Sequence, residues 1–130
     1  MSEPGGERRS HPIAVAVCEA LSRARVAIST EAECQADVHA VLAADTPYLV
    51  SREHRLGPAD RPDFLVAGCV VVECKARRAH GPSALRQLAR YAQYPAVEAL
   101  ILAYAGRALD MPREVGGKPL FVVGLGRAWL

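Results

Sequence analysis

The hydrophobic period of this chain first changes at Asp45-Thr46-Pro47, and that change sets the class of fold. Before it, apolar residues recur every three or four positions. His11–Arg25 carries them at 13, 14, 17, 20, 21 and 24, the spacing of one helix face. A second helix starts at Thr30, where Thr30 as N-cap and Glu33 three residues on form a capping box. Its stripe is Cys34, Val38, Val41 and Leu42, and it ends near Asp45, ahead of Pro47. After the switch the pattern is that of strands. Tyr48–Leu56 alternates, Gly57-Pro58-Ala59-Asp60 reads as a turn, and Pro62–Val66 is short and apolar. Ala67-Gly68 makes a second turn before the β-branched run Cys69–Lys75. Three such runs predict a meander. A helix follows over Ser83–Tyr94, with Ser83 as its cap, then a buried strand over Val97–Tyr104. Residues 105–117 read as irregular, with room for one helical turn, and Pro119–Leu125 as a last strand. The order α-α-β-β-β-α-β-β predicts a central mixed sheet flanked by helices, an α/β (α+β) fold.

Size and composition bound the answer further. At 130 residues and 51% hydrophobic, the chain has material for one core, expected over residues 11–130. The polar, Gly-containing start MSEPGGERRS (residues 1–10) reads as a disordered tail and carries no secretory signal. Ile13–Leu21 is far too short to span a membrane. Cys18, Cys34, Cys69 and Cys74 form no CxxC pair and sit in apolar segments, as reduced, buried thiols do. A cytoplasmic protein without membrane contact is the expectation.

Net charge is only +2, but its makeup is uneven: fourteen arginines stand against two lysines, Lys75 and Lys118. Coding bias produces such a ratio. It also raises the question of why lysine is kept at two places, since its ammonium is a compact point charge that guanidinium cannot imitate.

Lys75 lies in Val70-Val71-Val72-Glu73-Cys74-Lys75. Strand alternation brings Glu73 and Lys75 out on one face, about 7 Å apart. Charges at the end of so apolar a strand are costly unless paired or at work. In isolation the pair reads as a strand end reaching solvent with two charges on its rim. Asp63 opens the preceding strand, which the Ala67-Gly68 turn joins to that of Glu73, so pairing would bring two carboxylates together. Their repulsion is commonly relieved by a divalent cation, and oxygen-only ligands suit Mg²⁺ or Mn²⁺.

Pro62-Asp63, followed after a hairpin by Glu73-Cys74-Lys75, resembles the PD-(D/E)xK nuclease superfamily. The resemblance covers roughly residues 30–104 and implies a restriction-endonuclease-like core in the order αβββαβ. Many members place a glutamate on the helix before the sheet. At 100° per residue from Val38, Glu31 falls about 20° from the stripe centre, facing the core, and Glu33 about 140° away, facing solvent. Glu31 is therefore the candidate, although a first-turn acid also complements the helix dipole. Gln87-Leu88-Ala89-Arg90-Tyr91 is similar to the QxxxY motif of the RecB-like branch, with Gln87 and Tyr91 one turn apart. Some members of that branch hold an iron–sulfur cluster through a C-terminal cysteine trio. With no cysteine after Cys74, no such cluster is expected here.

The resemblance implies one or two Mg²⁺ ions held by Asp63, Glu73 and the Cys74 backbone carbonyl, with Glu31 joining directly or through water. Lys75 would position or help deprotonate the attacking water, Gln87 would orient Lys75 or that water, and Tyr91 would touch the phosphate backbone. Arg77, Arg78, His80, Arg86 and Arg90 flank Lys75 on the loop and helix, and Arg52, Arg55 and Arg61 lie on the meander opposite. Converging, they would form a positive rim for DNA phosphates; dispersed, they are a solvated surface.

The implied activity is Mg²⁺-dependent hydrolysis of DNA in repair, recombination, or phage or mobile-element DNA processing. The absence of a base-reading module favours structure-directed or non-specific cleavage. Cutting both strands would call for a two-fold homodimer. The alternatives are a non-catalytic DNA-binding subunit of a larger complex and an unrelated α/β domain with accidental charges.

Overall fold

Parallel strands need both faces covered, and this chain supplies helices for both. The computed structural model describes residues 9–75, 81–105 and 110–126. Its elements are α1 (Ser10–Arg23), α2 (Glu31–Asp45), β1 (Val50–Arg52), β2 (Phe64–Val66), β3 (Val70–Lys75), α3 (Gly81–Ala92), β4 (Ala99–Ala105), β5 (Glu114–Val115) and β6 (Lys118–Leu125). The strands form one six-stranded mixed sheet in the order β1-β2-β3-β4-β6-β5. β1, β2 and β3 are the expected antiparallel meander. β3, β4 and β6 run parallel. Every residue of β4 is buried, as befits an interior parallel strand.

The sheet divides the core. On one face α1 and α2 lay Ile13, Val17, Leu21, Val38 and Leu42 against Phe64, Val66, Val70, Val72 and Ile101. On the other face α3 lays Ala84, Leu88 and Tyr91 against Leu65, Val71, Leu100 and Leu102. Alternation along β3 therefore sends Val71, Glu73 and Lys75 to the α3 face and Cys74 to the other.

Several boundaries differ from the sequence reading. β1 is three residues long because Glu53 turns to a φ of +50°, ending the extended run. α3 begins at Gly81, two residues early. Proline is tolerated in a first helical turn, so Pro82 belongs to the helix, and Ser83 lies inside that turn instead of capping it. The stretch read as irregular contains β5, which pairs with Lys118 and Pro119. Its two-residue turn, Gly116-Gly117, has φ of +59° and +79°, the geometry that closes a tight hairpin. At the N-terminus Ser10 is buried within α1, and Arg9 reaches Glu98 at 3.5 Å. The rest of the expected tail, residues 1–8, lies outside the described residues. Among the described residues no helix is long and apolar enough to cross a membrane. The four cysteines are free thiols.

Candidate active site

The meander register brings the two expected acids together. Phe64 pairs with Val72, and one step further Asp63 stands opposite Glu73. The Asp63 N–H donates to Glu73 Oε1 at 3.2 Å, and the Cys74 N–H donates to Asp63 Oδ2 at 2.8 Å. Lys75 Nζ lies 3.7 Å from Glu73 Oε2. Three of the residues named from sequence are thus neighbours at the end of β3.

Their burial decides their chemistry. Glu73 is only 3% exposed. Burial pushes its carboxyl up to about 8, the Asp63 charge adding to the rise while the Asp63 N–H and Lys75 oppose it. Asp63 rises to about 6, again chiefly by burial, with the Cys74 N–H and Lys75 pulling down and Glu31 and Glu53 adding to the rise. Without a cation, such a pair keeps a proton near neutral pH. A divalent ion would take that proton's place.

The donor set restricts which ion fits. Among the described residues no three His, Cys, Asp or Glu side chains are grouped to hold a metal. A zinc site or an all-protein calcium cage needs more ligands than this. Mg²⁺ keeps several waters and takes one or two carboxylates plus substrate phosphate. The Asp63–Glu73 pair fits that pattern.

Gln35 was missed in the sequence. It is half-buried on α2, and its Nε2 donates to Asp63 Oδ1 at 3.1 Å. It lies about 60° from Val38 on the helical wheel, flanking the stripe, and this was the available signal. Glu31, expected to face the core, is exposed. It precedes Cys34, the first buried residue of α2, so the wheel angle points it toward the core at a level where the core has not yet begun. Its charge nonetheless raises both Asp63 and Glu73.

Tyr91 corrects a second expectation. It is 1% exposed and packs in the α3 core, so its ring is not a surface contact for a phosphate backbone. Its hydroxyl is hydrogen-bonded to Gln87, and its pKa is raised by burial and then by the charges of Glu73 and Asp63. The QxxxY pair thus forms part of the wall behind the acids.

The arginines split. Arg55, Arg61 and Arg90 line a cleft of about 250 Å³ with Gln87 and Tyr91. Arg86 is exposed on α3 and off that lining. Arg52 lies over the Phe64 ring, 5.9 Å from its centroid. Arg77, Arg78 and His80 lie outside the described residues. Asp60, also unforeseen, accepts from Arg90 Nε at 2.9 Å and from the Tyr94 hydroxyl at 2.6 Å. Those two bonds hold its carboxyl below the usual carboxylate range.

No family model, curated protein or solved structure matches this chain. Its function is therefore read from its residues and their geometry.

Proposed function

We propose that the chain is a Mg²⁺-dependent nuclease of the PD-(D/E)xK kind, hydrolysing phosphodiester bonds of DNA without reading base sequence. The observation that carries this reading is the pair of a half-buried Asp63 and a buried Glu73 side by side, with Lys75 3.7 Å from Glu73. The succession α2-β1-β2-β3-α3-β4 supports it, being the order the resemblance implies. The superfamily assignment and the restriction-endonuclease-like core belong to this same proposal.

On this reading Asp63, Glu73 and the Cys74 carbonyl hold the ion, and Glu31 acts on it from the rim of α2. Once bound, Mg²⁺ (or Mn²⁺) stabilises charge on the phosphate and lowers the cost of deprotonating water. Gln35 and the Cys74 N–H each occupy one oxygen of Asp63 and so fix that carboxylate's plane. Glu73 would hold the ion as its carboxylate, its proton released to solvent. Lys75 would hold the attacking water or, with its amine neutral, take its proton, and Gln87, hydrogen-bonded to Tyr91, braces the wall beside them.

The test is cleavage of single-stranded, duplex, flapped and four-way DNA in Mg²⁺, compared with Asp63→Asn and Lys75→Ala proteins of matched melting temperature. Cleavage by the wild type alone is the expected result. A wild type as inert as both variants rejects the nuclease and leaves a non-catalytic nucleic-acid-binding subunit.

A further inference from the structure

Two of the three arginines of the cleft, Arg90 and Arg55, are held in place by hydrogen bonds, and a small latch closes its two walls. The turn at Pro58-Ala59 forms one wall and α3 the other. Asp60 joins them by accepting from both Arg90 and Tyr94 of the α3 side. Gly57 permits the close approach, since a Cβ there would stand 2.2 Å from the Tyr94 hydroxyl. Arg55 is steered by its own bond, Nη1 to the Pro58 carbonyl at 2.9 Å. Each bond occupies one of a guanidinium's five N–H donors, leaving most of the fork for a ligand.

None of the described lining residues is acidic. Asp60 offsets one of the three positive charges, and the other two gain from an anion between them. Guanidinium forks match phosphate oxygens in shape as well as charge. Among the described lining residues the only aromatic is Tyr91, whose ring is buried, so none of them offers an exposed platform to stack a base. The cleft is built for phosphate and not for base identity. A cleft of about 250 Å³ is of the size of a phosphate group with its adjoining sugar and is far too small to take in a duplex.

We propose that Arg55, Arg61 and Arg90 form a phosphate subsite that grips a single nucleic-acid strand beside the acids at the end of β3. The place of this subsite in a reaction rests on the nuclease reading above; the binding itself does not. The phosphate is either a strand's terminal monoester or an internal diester, and the experiment separates the two.

Binding is followed by fluorescence anisotropy with metal chelated, so that cutting plays no part. The probes are a short labelled strand with a terminal phosphate, the same strand without one, a closed circle, and the corresponding duplex. The proteins are wild type, Arg61→Ala, Arg55→Ala/Arg61→Ala, and Arg23→Ala on α1 as a distant control, with thermal melts for each. Arg61 is exposed, so its single variant tests the idea even if the double variant folds poorly. The expected result is single-strand binding weakened about tenfold or more in the double variant, with the salt slope reduced by roughly 0.7 for each phosphate no longer neutralised. Arg23→Ala should bind as wild type does. Preference for the phosphorylated end identifies the monoester; equal binding of the circle identifies the diester. Unchanged binding in both arginine variants, or duplex binding that is as tight and as sensitive, overturns the subsite.

Asp63→Asn should keep this binding. A wild type that binds through the cleft yet never cuts with Mg²⁺ removes the nuclease and leaves the subsite. Cutting with no dependence on the arginines does the reverse.

Discussion

The chain's two lysines sit in similar places and meet different neighbours. Both are half-buried at the end of a strand, Lys75 closing β3 and Lys118 opening β6. Lys118 donates to the carbonyls of Tyr94, at 3.3 Å, and of Val97. It ties β6 to the link between α3 and β4, with its charge directed at fixed dipoles. Lys75 stands 3.7 Å from Glu73, beyond hydrogen-bond length, beside a carboxyl that burial keeps largely protonated at neutral pH. One ammonium is a staple between carbonyls; the other faces a buried carboxyl. Rarity in an arginine-rich chain therefore does not mark a lysine as chemical. A compact ammonium also suits a gap between two carbonyls, where a planar guanidinium would not fit.

The comparison breaks most easily at the lysines themselves. On the proposed reading, Lys75→Met lowers Mg²⁺-dependent cleavage by about 10³-fold, and the melting temperature changes little. Lys118→Met should do the opposite, costing about 1–3 kcal/mol by stranding two carbonyls while the folded molecules cut at the wild-type rate. Cleavage and melting curves on both proteins decide it. Equal loss of cleavage in the two variants would make both lysines structural.

The next effect is one of pH and concerns the Lys75 end alone. Glu73 has its folded pKa raised from 4.5 to about 8. A raised pKa gives stability that is complete below the unfolded value and lost as pH rises through the folded one. The metal-free wild type should therefore lose stability between about pH 4.5 and 8. Glu73→Gln cannot ionise and should melt higher than wild type at pH 9, by on the order of 2 kcal/mol. Mg²⁺ should restore the wild type at that pH and leave Glu73→Gln unmoved. A wild-type melt that ignores Mg²⁺ would argue that the acids hold no ion.

How much of this was legible in the sequence follows from the range of the signals. Glu73 and Lys75 share a face because strand alternation is a local rule, and the Ala67-Gly68 turn fixed the strand pairing that sets Asp63 opposite Glu73. Thr30 capped its helix as expected, accepting from the Glu33 N–H at 3.1 Å. Placement along the third dimension was not local. Glu31 had the right angle on the helix but the wrong height, and Tyr91 had the right spacing from Gln87 but sank into the core beneath α3. The latch from Asp60 to Arg90 and Tyr94 spans 30 residues or more, and nothing in either segment alone announces it. β5 escaped for a plainer reason: two residues are too few to show a period, although Gly116-Gly117 marked its turn.

The smallest effect lies where the two regions touch. Tyr94 serves both: its carbonyl accepts from Lys118, and its hydroxyl donates to Asp60 at 2.6 Å. Tyr94→Phe keeps the first bond and removes the second. It should lower the melting temperature slightly, as the loss of one solvent-near hydrogen bond does, and should weaken single-strand binding by loosening the cleft wall. Gly57→Ala attacks the same latch from the other side, since its Cβ would stand 2.2 Å from that hydroxyl and 3.0 Å from the ring carbon bearing it. Removing the hydroxyl relieves the tighter clash. The two substitutions should then be non-additive, with Gly57→Ala costing less in the Tyr94→Phe background than alone. Additive costs would mean that the turn does not rest on Tyr94, and the Lys118 end would be mechanically separate from the cleft.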